Sequence, residues 1–225
     1  MKALDLFSGT KSIANAFLKR GHDAYSIEID KRHADIDWYE DINNISADDI
    51  IHRFGRPDII WASPPCTTYS IAAISHHRRK GYGGFLLPKS YEGIMADNLV
   101  RHTIKLINDL HPRFYFIENP RGGLRKMNFM QEMPRYTITY CQYQDKRMKP
   151  TDLWTNHPDP QFKPMCKKGG GCHEYAPRGS KTGTQGLKGS IDRSKIPPLL
   201  CDHIVTICEN EINKGGTAKD ENQIL

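Results

Sequence analysis

The chain has 225 residues, of which 38% are hydrophobic and 26% charged, enough for one large domain, or a domain with a small appendage, around a sizeable core. The mixed composition excludes a wholly disordered or collagen-like chain, and no apolar run approaches the roughly 20 residues of a membrane span. Lys and Arg number 32 against 26 Asp and Glu, a net charge of +6, which fits either ordinary solubility or, more sharply, a polyanionic partner.

In chain order, Lys2–Phe7 is a short apolar run ending at Ser8-Gly9, the pattern of a buried strand that feeds a tight turn. It already carries polar residues, so no secretory signal is expected. Thr10–Arg20 has Ile13, Ala16 and Phe17 at helical spacing and Gly21 as a stop. Asp23–Ile29 predicts a second strand with the acids Glu28 and Asp30 at its end. Ser46–Phe54 predicts a short helix capped by Ser46, and Pro57–Ala62 a third strand. Tyr91–Leu110 predicts a long helix with Ile94, Leu99, Ile104 and Ile107 on its apolar side, and His111–Glu118 a further strand. This alternation predicts an α/β fold on a parallel sheet.

After Arg135–Tyr143 the pattern changes. Pro158–Asp192 has little apolar periodicity and many Gly, Lys and Pro, which predicts an irregular insertion. Pro197-Pro198 then starts a helix over Ile196–Asn210, and the polar tail from Lys214 is predicted to fray. The boundaries drawn on this basis are a core over 1–157, an insertion over 158–192, a helix returning to the core over 193–213, and a tail over 214–225.

The positive charge is concentrated. His76, His77, Arg78, Arg79 and Lys80 form one cluster; Lys163, Lys167, Lys168, Arg178, Lys181, Lys188, Arg193 and Lys195 populate a second, nearly acid-free stretch. Basic residues gathered in two loop-like segments predict nucleic-acid contact. The six cysteines, with no secretory signal, predict thiols in a reducing compartment, hence the cytoplasm.

Three motifs fall at predicted strand ends. Asp5–Thr10 (DLFSGT) runs from a strand through a Gly turn into a helix, a small-ligand site at the carboxyl edge of a sheet, with Glu28 placed to accept from a ribose diol. A Gly-x-Gly-x-x-Gly pattern is missing, which disfavours NAD. Ser63–Cys66 (SPPC) follows the strand PDIIWA, and its two prolines hold Cys66 at the same edge, where neighbouring cations are expected to lower the thiol pKa. Ile117–Pro120 (IENP) ends the next strand and brings Glu118 beside Cys66, pairing a nucleophile with an acid.

Together these motifs resemble the DNA cytosine-5 methyltransferases, and in particular their short phage-type members. DLFSGT resembles the family's cofactor motif, SPPC its catalytic motif and IENP its Glu-Asn-Val motif. Gln144–Arg147 resembles its Gln-x-Arg-x-Arg segment, and Ser194–Leu199 (SKIPPL) its late Pro-Pro segment. The chain departs from the family at Pro120, at Lys146 and Met148 in the two Arg positions, and at Arg193-Ser194 in place of Gly-Asn.

The resemblance implies a Rossmann-like, S-adenosylmethionine-dependent methyltransferase sheet of seven strands, with 158–192 as a small target-recognition insertion. It implies a cofactor site at Phe7, Ser8, Gly9, Glu28, Ile29, Asp41, Ile42 and Pro64, and a catalytic set of Cys66, Glu118 and Arg147. Its chemistry is addition of Cys66 to C6 of a cytosine flipped out of double-stranded DNA, with Glu118 at N3. Arg147 or Lys146 would contact the flipped base, and Thr67–Pro88 would close over it as a lid. A monomer in the cytoplasm, that of the host if the gene is a phage's, completes the expectation.

Other readings compete. An amino methyltransferase needs an aromatic residue where Cys66 stands. A DNA-binding decoy that keeps the fold, and an RNA methyltransferase, both remain compatible with these motifs. His157, Cys166, Cys172 and His173 form a candidate zinc set within the insertion, against chance surface residues.

Overall fold

A computed structural model describes residues 1–167, 170–174 and 189–220. The basic positions Lys168, Arg178, Lys181 and Lys188, and part of the predicted insertion, lie outside the described residues. Seven strands form one sheet: β1 (Lys2–Leu6), β2 (Asp23–Glu28), β3 (Trp38–Tyr39), β4 (Ile59–Ala62), β7 (Phe114–Pro120), β8 (Arg135–Thr139) and β9 (Pro150–Thr155). A separate hairpin pairs β5 (Arg78–Lys80) with β6 (Leu86–Pro88). The order of the large sheet is β3-β2-β1-β4-β7-β9-β8. The first five strands in that order are parallel, while β9 runs antiparallel to both β7 and β8. The sheet is therefore mixed rather than wholly parallel, as a strand pair that follows the last crossover can be.

Period-two alternation divides the sheet between two cores. Leu4, Leu6, Ile60, Ala62 and Ile117 face one layer, where they meet α2 (Ala47–Arg53) through Ile50 and α4 (Tyr91–Leu110) through Val100, Leu106, Ile107 and Leu110. Ala3, Ile59, Trp61, Phe114 and Phe116 face the other, against Ile13 and Phe17 of α1 (Ser12–Lys19) and Leu200, Ile204 and Cys208 of α6 (Pro198–Asp220). Both faces being covered, the central strands read as near-continuous apolar runs.

Local signals set the helix ends. Ser46 caps α2 in a reciprocal box with Asp49, and the Ser90 hydroxyl accepts from Gly93 N at the start of α4, which His111 closes in the left-handed region. Of the apolar face expected for α4, Ile107 is buried and Leu99 and Ile104 pack against the core, while Ile94 is exposed. Asp97, Val100 and Thr103 are buried as well, Asp97 in a pair with a cation described below. Helix α6 continues to Asp220, past the boundary placed at 213.

Strand order reverses between β1 and β4, so the loops leaving their carboxyl ends open a crevice at that switch point. Those loops carry Ser8-Gly9 and Cys66, and the neighbouring ends of β2 and β7 carry Glu28 and Glu118.

Candidate active site

The loop after β1 is built from unusual backbone. Phe7, Gly9 and Lys11 have φ of 58°, 50° and 54°, the left-handed region that costs a non-glycine residue about 1 kcal/mol or more. Lys11 stands at the N-cap of α1 and offers no side-chain cap. Asp5 does so from the strand below, its carboxylate accepting from Ala14 N at 3.1 Å. Burial, the largest influence, pushes the Asp5 carboxyl up to about 7. The aspartate of the DLFSGT motif is thus a buried brace for the turn.

Glu28 completes the brace. One carboxylate oxygen accepts from Gly9 N at 3.0 Å, and the other from Ile29 N and Asp30 N at 2.9 Å each. A carboxylate has about four acceptor sites, so one remains for a ligand hydroxyl. Ser8 Oγ is buried with no partner among the described residues, an orphan that a polar ligand group would satisfy. These two observations fit S-adenosylmethionine, whose amino-acid end and ribose diol supply such groups. Ile29 is 59% exposed and offers an apolar ledge beside Glu28. Asp41 caps a one-turn 3₁₀ helix, accepting from Asn43 N at 2.9 Å through Oδ1. The side chain of Ile42 is packed in the core, so to the expected cofactor site it has only backbone to give.

A groove of about 670 Å³ begins where this loop ends and is lined by Thr10, Ser12, Asp145, Arg147, Lys195 and Pro198, among others. The late Pro-Pro segment therefore returns beside the start of α1. Phe7, Glu28, Asp41 and Pro64 do not line this groove.

The SPPC loop is tied down from the next strand. Asn119, on β7, donates its amide to the Pro64 carbonyl at 2.9 Å. Tyr69 N and Ser70 N both bond the Cys66 carbonyl, at 3.0 and 2.8 Å. The turn after IENP presses on the same loop: Gly123 N donates to Tyr69 O at 2.6 Å, and a Cβ at Gly122 would lie 2.4 Å from that oxygen. Only glycine fits at 122.

Cys66 is half-buried. Its pKa moves opposite to the expected direction. Burial raises it most, and the Glu118 carboxylate raises it further; Lys149 and Arg193 oppose this without reversing it. The thiol is therefore the resting form. Glu118 is buried, with Oε1 accepting from Tyr140 OH at 3.1 Å and facing Lys149 Nζ at 3.8 Å. Lys149 is itself buried, and desolvation holds its ammonium below the usual lysine range. Its backbone is strained too, at φ 27°.

Arg147 has a different place from the one expected. It is 6% exposed, and its guanidinium pairs with Asp145 and donates to the carbonyls of Asp192, Arg193 and Lys195 at 3.3, 3.1 and 3.1 Å. It clamps the chain entering the Pro-Pro segment and has no donor directed at Cys66 or Glu118. Lys146 is exposed and pairs with Glu174. The cation beside the Cys66–Glu118 pair is Lys149, which sequence reasoning missed. The signal was available: starting the basic segment at Asp145 instead of Gln144 puts Arg147 and Lys149 at its two Arg positions.

The segment 67–88, expected to close as a lid, has secondary structure of its own. It holds α3 (Ile74–His77) and the β5–β6 hairpin. Arg78, counted in the basic cluster, is 4% exposed. It donates to Asp97 at 2.6 Å and to Thr68 Oγ1 at 2.7 Å, and stacks on Tyr69 at 4.2 Å. Arg79 and Lys80 remain exposed.

Of the expected zinc ligands, Cys166, Cys172 and His173 come together, and Cys141 joins them. His157 does not. Its Nε2 bonds the Ile207 carbonyl at 3.2 Å and its ring packs on Phe114, so it is a core histidine under α6.

A seven-stranded sheet of this order, with ligand groups at its switch point, defines a Rossmann-like S-adenosylmethionine-dependent methyltransferase fold. The same fold occurs in a candidate DNA modification methyltransferase encoded within an E. coli prophage, with TM-score 0.51 and 17% identity over 69% of this chain and 46% of that one. The sequence profile of the C-5 cytosine-specific DNA methylases matches residues 1–138, and the chain belongs to that family. It is also 29% identical to the "Probable DNA (cytosine-5)-methyltransferase" of Frog virus 3, over 92% of this chain and 100% of that protein. The S. pombe Dnmt2 methyltransferase is similar at 14% identity, TM-score 0.46, over 69% of this chain and 48% of its own. The chain spans about half the length of these two solved proteins. Among the described residues no helix is long and apolar enough to cross a membrane.

Proposed function

We propose that the chain transfers a methyl group to C5 of a cytosine flipped out of double-stranded DNA, through a covalent bond between Cys66 and C6. The observation that carries this reading is the meeting of Cys66, Glu118 and Lys149 at adjacent strand ends, with charges close enough to shift one another. S-adenosylmethionine supplies an electrophilic methyl on a sulfonium. Glu28 would hold its ribose, Ser8 Oγ its amino-acid end and Ile29 its adenine.

The protein's residues do the rest. Cytosine C5 is a poor nucleophile until a thiolate adds at C6. Because burial and Glu118 favour the neutral thiol, Cys66 must lose its proton as the base enters. Lys149 favours the charged form of Cys66 and stabilises the anion then. Glu118 takes the proton that Cys66 gives up, holds N3 and passes that proton to it as the S–C6 bond forms, which places electron density on C5. Tyr140 fixes the carboxyl for that transfer. After methylation, loss of the C5 proton and breaking of the S–C6 bond restore the ring and free Cys66. Flipping is required because C6 and N3 are stacked and paired in the duplex. The Cys/His cluster supplies no group to this transfer.

Incubation with labelled S-adenosylmethionine and plasmid DNA, followed by sequencing for 5-methylcytosine, tests the reading. Label at C5 supports it. Label at an exocyclic amine, label only in RNA, or DNA binding without label would each replace it with another reading.

A further inference from the structure

We propose that Cys141, Cys166, Cys172 and His173 bind one zinc ion that fastens the start of the recognition segment to the catalytic core. The metal site stands on the cluster's geometry alone; its link to target recognition and to the catalytic acid rests on the proposed function.

The four candidate ligand atoms all lie within 4.8 Å of one another. Cys166 Sγ is 3.1 Å from Cys172 Sγ, and Cys172 Sγ is 3.5 Å from Cys141 Sγ. His173 Nδ1 is 3.6 Å from both Cys166 Sγ and Cys172 Sγ. Zinc bonds of about 2.3 Å to sulfur and ~2.0–2.1 Å to nitrogen give tetrahedral edges of about 3.4–3.8 Å. Three of the four separations are close to that range, and the 3.1 Å contact falls somewhat short of it. None is near the ~2.05 Å of a disulfide. Three thiols and an imidazole converging on one point form a donor set with a zinc preference, Cys₃His.

The surroundings need such a tie. Cys141 belongs to the 3₁₀ turn Tyr140–Tyr143 that follows β8. The other three ligands come from a stretch in which Gln161, Lys163, Pro164, Met165, Lys167, Gly171, Cys172 and Glu174 are all exposed. Its apolar anchorage comes from Phe162, packed on the core beside Tyr136 and His203, and from Cys166. The remaining ties are polar: Cys166 N to Thr139 Oγ1 at 2.8 Å, Lys163 N to Tyr143 OH at 3.0 Å, Glu174 N to Lys146 O at 2.8 Å, and the Lys146–Glu174 ion pair. A structural zinc would supply the missing folding energy. Gly170 permits the close turn, since a Cβ there would lie 3.2 Å from Cys166 Sγ.

The position has a consequence. Tyr140, which bonds the Glu118 carboxyl, precedes Cys141 directly. A metal at 141 would join the recognition segment to the residue that orients the catalytic acid.

The test is metal analysis of the full chain purified without chelator. One zinc per chain is expected, and replacement by cobalt(II) should give intense visible bands of a tetrahedral site with thiolate-to-cobalt charge transfer. Cys141→Ser, Cys166→Ser and Cys172→Ser should each lose most of the metal and the charge-transfer band. Cys66→Ser and His157→Ala should retain both. Chelation of the wild-type protein should speed proteolytic cleavage in the 161–174 stretch while α4 and the sheet stay protected. A metal-free wild-type protein with no cobalt spectrum would overturn the proposal. So would a mass lower by two hydrogens that maps to a Cys166–Cys172 disulfide, or full metal content in Cys141→Ser.

Discussion

Asn119 and Pro64 are joined by a 2.9 Å hydrogen bond from the buried amide to the carbonyl. This bond ties the strand end that presents Glu118 to the loop that presents Cys66. The two proposed reacting groups come from elements more than fifty residues apart in the chain, and their separation is set by this contact, by Gly123 N on Tyr69 O, and by the strand pairing of Ala62 with Ile117.

Asn119→Ala removes a buried donor and leaves the Pro64 carbonyl without it. The expected loss of stability is about 1–3 kcal/mol, seen as a lower Tm. Methyl transfer should fall well beyond that loss, by at least about tenfold if ~1.4 kcal/mol of transition-state positioning is removed. Turnover equal to wild type at a temperature where both proteins are folded would show that the bond is structural only.

The thiol of Cys66 should respond to its neighbours with a definite sign. Burial and Glu118 raise its pKa and Lys149 lowers it. Alkylation of the wild-type thiol by iodoacetamide should keep rising with pH beyond the range of an ordinary cysteine. Glu118→Gln should shift that profile to lower pH and speed alkylation at pH 8, while abolishing most methyl transfer. Lys149→Met should shift it to higher pH. Opposite shifts in either variant would contradict the electrostatic account.

Cofactor binding should depend on Glu28. Glu28→Ala removes an acceptor and frees the Gly9 turn that it holds. Calorimetry should show S-adenosylmethionine bound more weakly by about 1.5–3 kcal/mol, or roughly 10–150-fold. Unchanged affinity would move the ribose elsewhere.

The basic cluster should divide into two kinds of residue. Arg78 is buried against Asp97, so Arg78→Ala should cost about 3–5 kcal/mol of stability. Arg79 is exposed, and Arg79→Ala should leave stability within about 0.5 kcal/mol. If Arg79 contacts phosphate, its removal should reduce the salt slope of DNA binding by about one. The reverse pattern would mean that the hairpin is oriented differently on DNA.

Strands and helices with strong periodicity were legible: β1, β2, β4, α2 and α4 fall close to where apolar runs and caps place them. The antiparallel β8–β9 pair was not, because an edge pair carries no crossover helix to announce it. Motif residues at strand ends were legible as a group, since a strand end fixes position without needing side-chain detail. Arg147 and Lys149 were not distinguishable by residue type. Both are basic, and only packing decides that Arg147 spends its donors on the 192–195 carbonyls while Lys149 turns to Glu118. Arg78 misled for the same reason: a charge run reads as surface until an internal acid such as Asp97 appears across from it. Cys141 was missed because it lies 25 residues before Cys166 in sequence and only the return of the chain over β8 brings it near.

The covalent bond to Cys66 is the claim on which the rest depends, and DNA carrying 5-fluorocytosine tests it directly. Fluorine cannot leave C5 as a cation, so the adduct cannot resolve after methylation. Wild-type protein with S-adenosylmethionine should give a protein–DNA complex that survives denaturing electrophoresis, with the cross-link mapped to Cys66 by mass spectrometry. Cys66→Ala should give no such complex and no 5-methylcytosine, while still binding cofactor. Methylation of DNA at the wild-type rate by Cys66→Ala, or a wild-type protein that methylates cytosine C5 yet traps nothing, would contradict the account.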